Sequence, residues 1–337
     1  MTDYQPLRVR VIAEAGVNHN GSLTPAKQLA EAAAAAKADF VKFQTFDPEA
    51  LVVGTAPTAD YQRAGGYESQ VDMLSRLTLS PEEQAELKDY CESIGIAFLS
   101  TAFDLGSVRV LEDLHQKTWK IPSGEITNVP LIEEIGSIAE QVILSTGMAT
   151  LGEIEAALMW LEGAGCPRDR VTVLHCNTEY PTPYHDVHLR AMQTIGQAFN
   201  VRVGYSDHTM GIEVPIAAVA LGATVIEKHF TLDRTLPGPD QKASLEPDEL
   251  SAMVAAIRNI EQALGRPEKR ISESERKNID TVRKGIYAAR AIKAGEVFSQ
   301  DNITTKRPSH DVDASQWHRA VGRTAPRAYR PDQAIQW

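Results

Sequence analysis

The 337-residue sequence predicts an α/β fold, a (β/α)8 TIM barrel followed by a small β-rich domain, and three observations carry that expectation. Eight short runs rich in Val, Ile and Phe recur along the first 230 residues. Helix starts with recognisable capping chemistry fall between them, and such alternation implies a parallel sheet covered by helices. Nearly every run stops in a cluster of polar or ionisable residues. In a parallel barrel all carboxyl ends meet at one mouth, so this recurrence places a site.

The runs are RVIAEAG, DFVKFQT, IAFLST, TWKIPSGE, QVILSTG, VTVLHCN, VRVGYSDH and TVIEKHF, beginning near positions 10, 39, 96, 118, 141, 171, 201 and 224. Their polar ends are Glu14; Lys42 with Gln44; Thr101; Lys120 with Ser123 and Glu125; Ser145; His175; Ser206 with Asp207 and His208; and Glu227 with His229. Thr24-Pro25 is expected to open an Ala-rich helix, with a side-chain cap before proline at the first helical position. Ser80-Pro81-Glu82-Glu83 and Thr150-Leu151-Gly152-Glu153 read as capping boxes. A helix from about Glu246 to Leu264 is ended by Gly265 and Pro267, and the barrel domain is expected to span 1–265.

The span from Gln44 to Ser80 is too long for an ordinary connection, so it is expected to fold over the mouth as a substrate loop. Its AGGYESQ segment, 64–70, has paired glycines suited to a sharp turn or close approach to a ligand. RPEKRISESERKNIDTVRK is highly charged, which gives a linker at 266–282. The short β-prone pieces of 283–337, broken by Gly and Asp-Asn turn signals, form the small second domain.

Composition narrows the function. A hydrophobic content of 43% with 23% charged residues is that of a globular protein with ample core. A net charge of -11 argues against nonspecific nucleic-acid binding, which needs clustered Lys and Arg. The stretch MTDYQPLRVR lacks a secretory layout, and the longest nearly apolar run, Val214 to Ile226, is too short for a membrane span. Three cysteines, Cys91, Cys166 and Cys176, make neither a metal pattern nor an even disulfide framework. A cytoplasmic enzyme without membrane or nucleic-acid partners is the expectation.

His208 and His229 end consecutive strands, where two imidazoles suit a divalent transition metal completed by water and substrate oxygens. They equally suit two hydrogen-bonded barrel histidines. Lys42 and Lys120 each interrupt an apolar strand, and a desolvated ammonium needs either an anion in the mouth or a salt bridge to Glu14, Glu125 or Glu227. Thr101, Ser123, Ser145 and Ser206 add four hydroxyls, which with the lysines resemble a distributed phosphate site. Glu14, Glu125 and Asp240 are acid-base or sugar-hydroxyl candidates, with Asp240 presented by the stiff turn PGPD. The absence of a G-x-S-x-G elbow disfavours Ser-His-Asp catalysis.

These residues resemble the sialic acid synthases, which condense phosphoenolpyruvate with an N-acylated amino sugar. The resemblance rests on AEAGVNHNG, VKFQTF, FLSTAFD, KIPSGEITN, ILSTGM, LHCNTEYPTP, GYSDHT, IEKHFTLD and PGPDQKASLEP, in order across the barrel. AARAIKAGEVFSQDNITTKRP resembles the antifreeze-like (SAF) domain that closes such enzymes. The resemblance implies a domain-swapped homodimer. His208 and His229 would hold Mn²⁺, with Mg²⁺ or Co²⁺ as alternatives. Lys42, Thr101, Lys120, Ser123, Ser145 and Ser206 would hold phosphoenolpyruvate; Gln44, Glu125, Tyr180 and Asp240 would face the sugar, with Arg307 supplied by the other subunit. Glu14 would assist water addition.

Two departures fall near the sugar end. AGGYESQ offers glycines where the family often has an asparagine, and Arg307-Pro308 is followed by Ser-His-Asp instead of Gly-Asn-Gly. N-acetylmannosamine, giving N-acetylneuraminate, is the first expectation for the acceptor. The alternative is a 2,4-diacetamido-2,4,6-trideoxy sugar giving legionaminate. A pyruvate-dependent metal aldolase would leave the phosphate-binding set without a task, a Schiff base on Lys42 or Lys120 is a lesser option, and a sugar-binding protein without catalysis would not need Glu14, both lysines and both histidines.

Overall fold

The computed structural model describes residues 8–53 and 69–337. It comprises two compact units, Met1–Gly265 and Arg266–Trp337. In the first, β1 (Arg10–Gly16), β2 (Phe40–Thr45), β3 (Ala97–Ala102), β4 (Thr118–Ile121), β5 (Gln141–Ser145), β6 (Val171–Cys176), β7 (Arg202–Asp207) and β8 (Val225–His229) form a closed barrel in chain order. All neighbours are parallel, and β8 returns to β1 with Glu14 opposite His229. All eight predicted strands form.

The period of two along each strand sorts the residues. One set, Ile12, Leu99, Ile143, Leu174 and Val225 with Phe40, packs as an apolar floor inside the barrel. Two residues further along lie Glu14, Thr101, Ser145, Cys176, Glu227 and Lys42, so the inward face turns polar in one step. The alternate set, including Val11, Ala13, Val41, Phe43, Tyr205 and Ile226, packs beneath the helices. Gly204 lets the floor close: a Cβ there would lie 2.4 Å from the Val225 carbonyl oxygen and 2.6 Å from Leu174.

Around the barrel run α1 (Leu23–Ala35), α2 (Pro48–Leu51), α3 (Gln70–Ser75), α4 (Pro81–Ser93), α5 (Leu105–Asp113), α6 (Val129–Ile138), α7 (Leu151–Ala164), α8 (Arg190–Phe199), α9 (Glu213–Ala220) and α10 (Pro247–Leu264). The capping boxes at Ser80/Glu83 and Thr150/Glu153 are both made. The start of α1 differs from expectation: it begins at Leu23, and Ser22 makes no side-chain cap. Ala26 N–H bonds back to the Ser22 carbonyl, so the first turn closes two residues early, and Pro25 sits within it where no donor is required.

The second unit holds α11 (Glu273–Arg276), α12 (Ile279–Val282), β9 (Gly285–Ala288), β10 (Ile303–Lys306) and α13 (Trp317–Ala320). β9 and β10 pair antiparallel, over a small core that includes Ile286, Phe298, Ile303, Tyr329 and Ile335. The charged stretch before them carries the two short helices α11 and α12, with almost every residue exposed. Among the described residues no helix is long and apolar enough to cross a membrane.

Candidate active site at the barrel mouth

The polar strand ends surround a cavity of about 560 Å³. Glu14, Lys42, Gln44, Thr101, Lys120, Ser123, Glu125, Ser145, Tyr180, Ser206, His208, His229 and Asp240 all line it. Arg307 is the exception, lying exposed in the second unit immediately after β10. Most of AGGYESQ lies outside the described residues, but both flanks of that segment are placed. Phe46, Met73 and Leu77 pack with Val17 into an apolar cluster, and Phe46, Val17 and Met73 also face the cavity.

Charge in the cavity is balanced at close range. Lys42 Nζ lies 2.6 Å from Glu14 Oε2 and 3.7 Å from Glu227 Oε2, and donates to Thr101 Oγ1 at 3.0 Å. Lys120 Nζ lies 3.7 Å from Glu227 Oε1, which also accepts from Ser206 Oγ at 2.9 Å. Of the salt bridges weighed from sequence, those to Glu14 and Glu227 form and, among the described residues, the one to Glu125 does not, and the ammonium groups remain at the cavity wall. Two buried cations share one fully ionised carboxylate, because burial would raise the Glu227 pKa but Lys120, Lys42 and the Ser206 hydrogen bond outweigh it and hold it low. Burial pushes Glu14 up to about 7 despite Lys42, and Asp240 up to about 6. Burial lowers the Lys120 pKa against the pull of Glu227, whereas Glu14 and Glu227 overcome burial at Lys42 and raise it.

The Glu14 shift has a measurable sign. Its folded value lies above the 4.5 of a free carboxyl, so its contribution to stability is complete below about pH 4.5 and is lost as pH rises through about 7. The variant Glu14→Gln, which mimics the neutral form, is expected to gain on the wild type between about pH 5 and pH 8 by on the order of 1–3 kcal/mol. Denaturation midpoints at the two pH values check this. A constant difference would show that Glu14 ionises as freely in the folded protein as outside it.

The imidazoles of His208 and His229 face each other with ring centroids 5.3 Å apart, and the Tyr180 ring lies 4.1 Å from the first and 5.6 Å from the second. His208 Nδ1–H donates to the Asn177 carbonyl at 2.5 Å, leaving Nε2 for another partner. His229 Nδ1 is buried without a hydrogen bond, 3.9 Å from Asp240 Oδ2. Burial holds His208 down at about 4, and burial with the neighbouring His208 and Lys42 holds His229 well below the usual range. Neutral imidazoles with an unsatisfied nitrogen are the ligating form, so the pair fits a divalent cation. Among the described residues no set of three or more His, Cys, Asp and Glu gathers as ligands. A cation here would take two protein nitrogens and complete its shell with water or substrate oxygen.

Other donors fit an anion. Ser145 Oγ is buried without a partner, and Ser123 Oγ accepts from Gly147 N–H at 2.9 Å while lying 3.2 Å from Cys176 Sγ. Glu125 accepts from Asn128 Nδ2 at 2.6 Å, which orients it at the rim.

The loop following β1 shapes the rim opposite. Gly16 sits at φ +52°, a conformation that favours glycine, and a Cβ there would press on Glu14 Oε1 at 3.3 Å and touch Gln44 Nε2 and Asp240 Oδ2 at 3.4 and 3.5 Å. Asn18 Nδ2 donates to Phe230 O and Ser244 Oγ, and Asn20 Nδ2 to Pro237 O, so this loop carries the turn that presents Asp240. Cys176 and these asparagines were not among the sequence candidates for the site, and Glu227 was named only as a strand end and a salt-bridge partner. Alternation places Glu227 in the cavity, since Val225, Glu227 and His229 share one face of β8.

A NeuB family model matches residues 29–269 and a SAF domain model matches residues 283–337. The chain is 50% identical over 327 residues to N,N'-diacetyllegionaminic acid synthase of Campylobacter jejuni subsp. jejuni serotype O:2, covering 96% of this chain and 98% of the relative. It is 44% identical over 316 residues to the synthase of the same name from Legionella pneumophila subsp. pneumophila, covering 93% and 89%. The crystal structure of N-acetylneuraminic acid (sialic acid) synthetase from Leptospira borgpetersenii serovar Hardjo-bovis, in complex with citrate, superposes with a TM-score of 0.72 at 34% identity, covering 83% of this chain and 94% of that one.

Proposed function

The chain belongs to the NeuB family, and from that premise we propose that it condenses phosphoenolpyruvate with 2,4-diacetamido-2,4,6-trideoxymannose and water to give N,N'-diacetyllegionaminate and phosphate. The cavity supports the shared half of this reaction and the relatives support the acceptor. The single observation that carries the chemistry is the mouth itself: two buried ammoniums and four hydroxyls beside a pair of neutral imidazoles in one cavity of about 560 Å³. Identities of 50% and 44% to the two legionaminic acid synthases, against 34% to the sialic acid synthetase, support the trideoxy sugar over N-acetylmannosamine as the acceptor in this reading.

On this reading Lys42, Thr101, Lys120, Ser123, Ser145 and Ser206 hold the phosphate and carboxylate of phosphoenolpyruvate. His208 and His229 would hold Mn²⁺, or Mg²⁺ or Co²⁺ in its place. A divalent ion so held supplies Lewis-acid polarisation of the acceptor aldehyde. The methylene carbon of phosphoenolpyruvate forms the new C–C bond with the aldehyde carbon, whose oxygen takes a proton to become a hydroxyl. Water adds to the cationic C2, giving up a proton, and C–O cleavage then releases phosphate and leaves the ketone. Glu14, at about 7, is poised to take the proton from that water near neutral pH. Gln44, Glu125, Tyr180 and Asp240 position the sugar, and Arg307 would reach it from a second copy in a domain-swapped dimer.

Phosphate release with phosphoenolpyruvate and Mn²⁺ across free amino sugars tests the assignment. The trideoxy diacetamido sugar is expected to give a kcat/KM at least about tenfold above that of N-acetylmannosamine, because a site that buries the second acetamido amide leaves polar groups unpaired with any sugar lacking it. The reverse order would return the acceptor to N-acetylmannosamine. Product from pyruvate instead of phosphoenolpyruvate would indicate an aldolase.

A further inference from the structure

Outside the mouth, on the reverse face of the same two strands, lies a charged pair that the reaction does not use. Asp207 and Lys228 stand opposite each other in register, one residue before His208 and His229 respectively. Both are fully buried, and Lys228 Nζ lies 2.5 Å from Asp207 Oδ2. The same ammonium donates to the Thr209 carbonyl, and Asp207 Oδ1 accepts from Thr209 N–H at 3.1 Å and from Thr209 Oγ1 at 3.0 Å. His208 is thus the middle residue of a three-residue turn whose two ends are tied to one lysine on the neighbouring strand.

The surroundings argue that this pair does more than hold the strands together. The residues on either side of Lys228 on that face are Ile226 of β8 and Phe230 just past its end, and Tyr205 precedes Asp207 on β7, all members of the apolar layer under the helices. Apolar side chains at these two positions would have extended that layer. A buried ion pair is commonly no more stabilising than well-packed apolar residues of similar volume, and here its hydrogen bonds to Thr209 tie both strands to the turn that carries His208.

We propose that Asp207 and Lys228 are positioning residues that fix the spacing and ring orientation of His208 and His229 from behind. The proposal rests on the reading of that pair as the metal-holding group. The clamp acts through backbone, so its loss frees His208 to turn from the Asn177 carbonyl and widens the gap between the rings.

The test separates positioning from stability. Lys228→Met alone leaves a buried carboxylate and is expected to lower the melting temperature sharply. The double variant Asp207→Leu/Lys228→Met restores an apolar layer and is expected to recover most of that loss. Mn²⁺ affinity, measured on the substrate-free protein by electron paramagnetic resonance, is nonetheless expected to stay 10- to 100-fold weaker in the double variant, the size of effect seen when supports of metal ligands are removed. In the metal-free protein, the imidazole NMR signal of His208 donating through Nδ1 is expected in the wild type and averaged in the double variant. Wild-type Mn²⁺ affinity together with an unchanged His208 signal in the double variant would overturn the proposal. If His208→Ala binds Mn²⁺ as tightly as the wild type, the metal reading alone falls; the His208 signal then decides, an unchanged one overturning the clamp and an averaged one supporting it.

Discussion

Replacing either His208 or His229 with alanine is expected to lower Mn²⁺-dependent phosphate release at least about 10³-fold and to weaken Mn²⁺ binding by at least about 100-fold, while the fold survives. The reasoning begins with burial. Both rings are nearly inaccessible, at 6% and 7% exposure, yet neither belongs to the apolar clusters that hold strands to helices. Truncating His208 removes one hydrogen bond, that to the Asn177 carbonyl, at a cost of about 1 kcal/mol. Truncating His229 removes an Nδ1 that has no hydrogen-bond partner, so no bond is lost at that atom. Metal binding, in contrast, loses half of the protein's ligand set, since only two imidazoles are gathered there among the described residues. Chelation of the wild type should reproduce the loss, and added Mn²⁺ should restore it. Retention of full metal-dependent turnover by both variants would sink the assignment, leaving the pair as acid-base or structural histidines.

The sequence made the barrel legible because two periodicities agreed. Each strand alternates every second residue between the helix-facing and inward sides, and each inward series ends in a polar residue at the same height. Ser80 and Thr150 marked their helices because their caps are local, made within four residues. Local chemistry failed at Thr24-Pro25, where the closing bond is made by backbone that no side chain announces. The site was legible as a set of side chains but not as a set of contacts. Lys42 meets Glu14 across β1 and β2, yet Glu227 reaches both lysines only because β8 closes against β1. That closure also determines which carboxylate ionises freely, so the elevated value at Glu14 and the low one at Glu227 follow from the ring and not from either motif. The acceptor was the least legible feature: relatives that match over most of this chain carry the names of different acid synthases.

Replacing Lys42 with methionine is expected to be the most damaging substitution in the mouth, costing about 3–5 kcal/mol of stability and at least about 10³-fold in kcat/KM for phosphoenolpyruvate. Methionine matches the length of the apolar stem, so the change isolates the ammonium. That ammonium is 4% exposed, lies 2.6 Å from Glu14 and 3.7 Å from Glu227, and donates to Thr101. Without it, Glu227 retains Lys120 and Ser206, but Glu14 loses its nearest countercharge and must protonate or remain as an uncompensated buried anion. Protonation is the cheaper course, so the Glu14 pKa, already about 7, rises further and the variant becomes more stable as pH falls through the range where the wild type changes least. Adding Glu14→Gln to Lys42→Met removes the carboxylate and is expected to recover most of the lost stability at pH 8, with the pair of substitutions far from additive. Turnover is not expected to return, because the double variant lacks both a cation for the phosphate and a base for the water. Thermal unfolding and steady-state phosphate release on the three proteins would read both effects. A double variant as unstable as Lys42→Met would place the damage in packing, and one that regained turnover would show that neither residue touches the reaction.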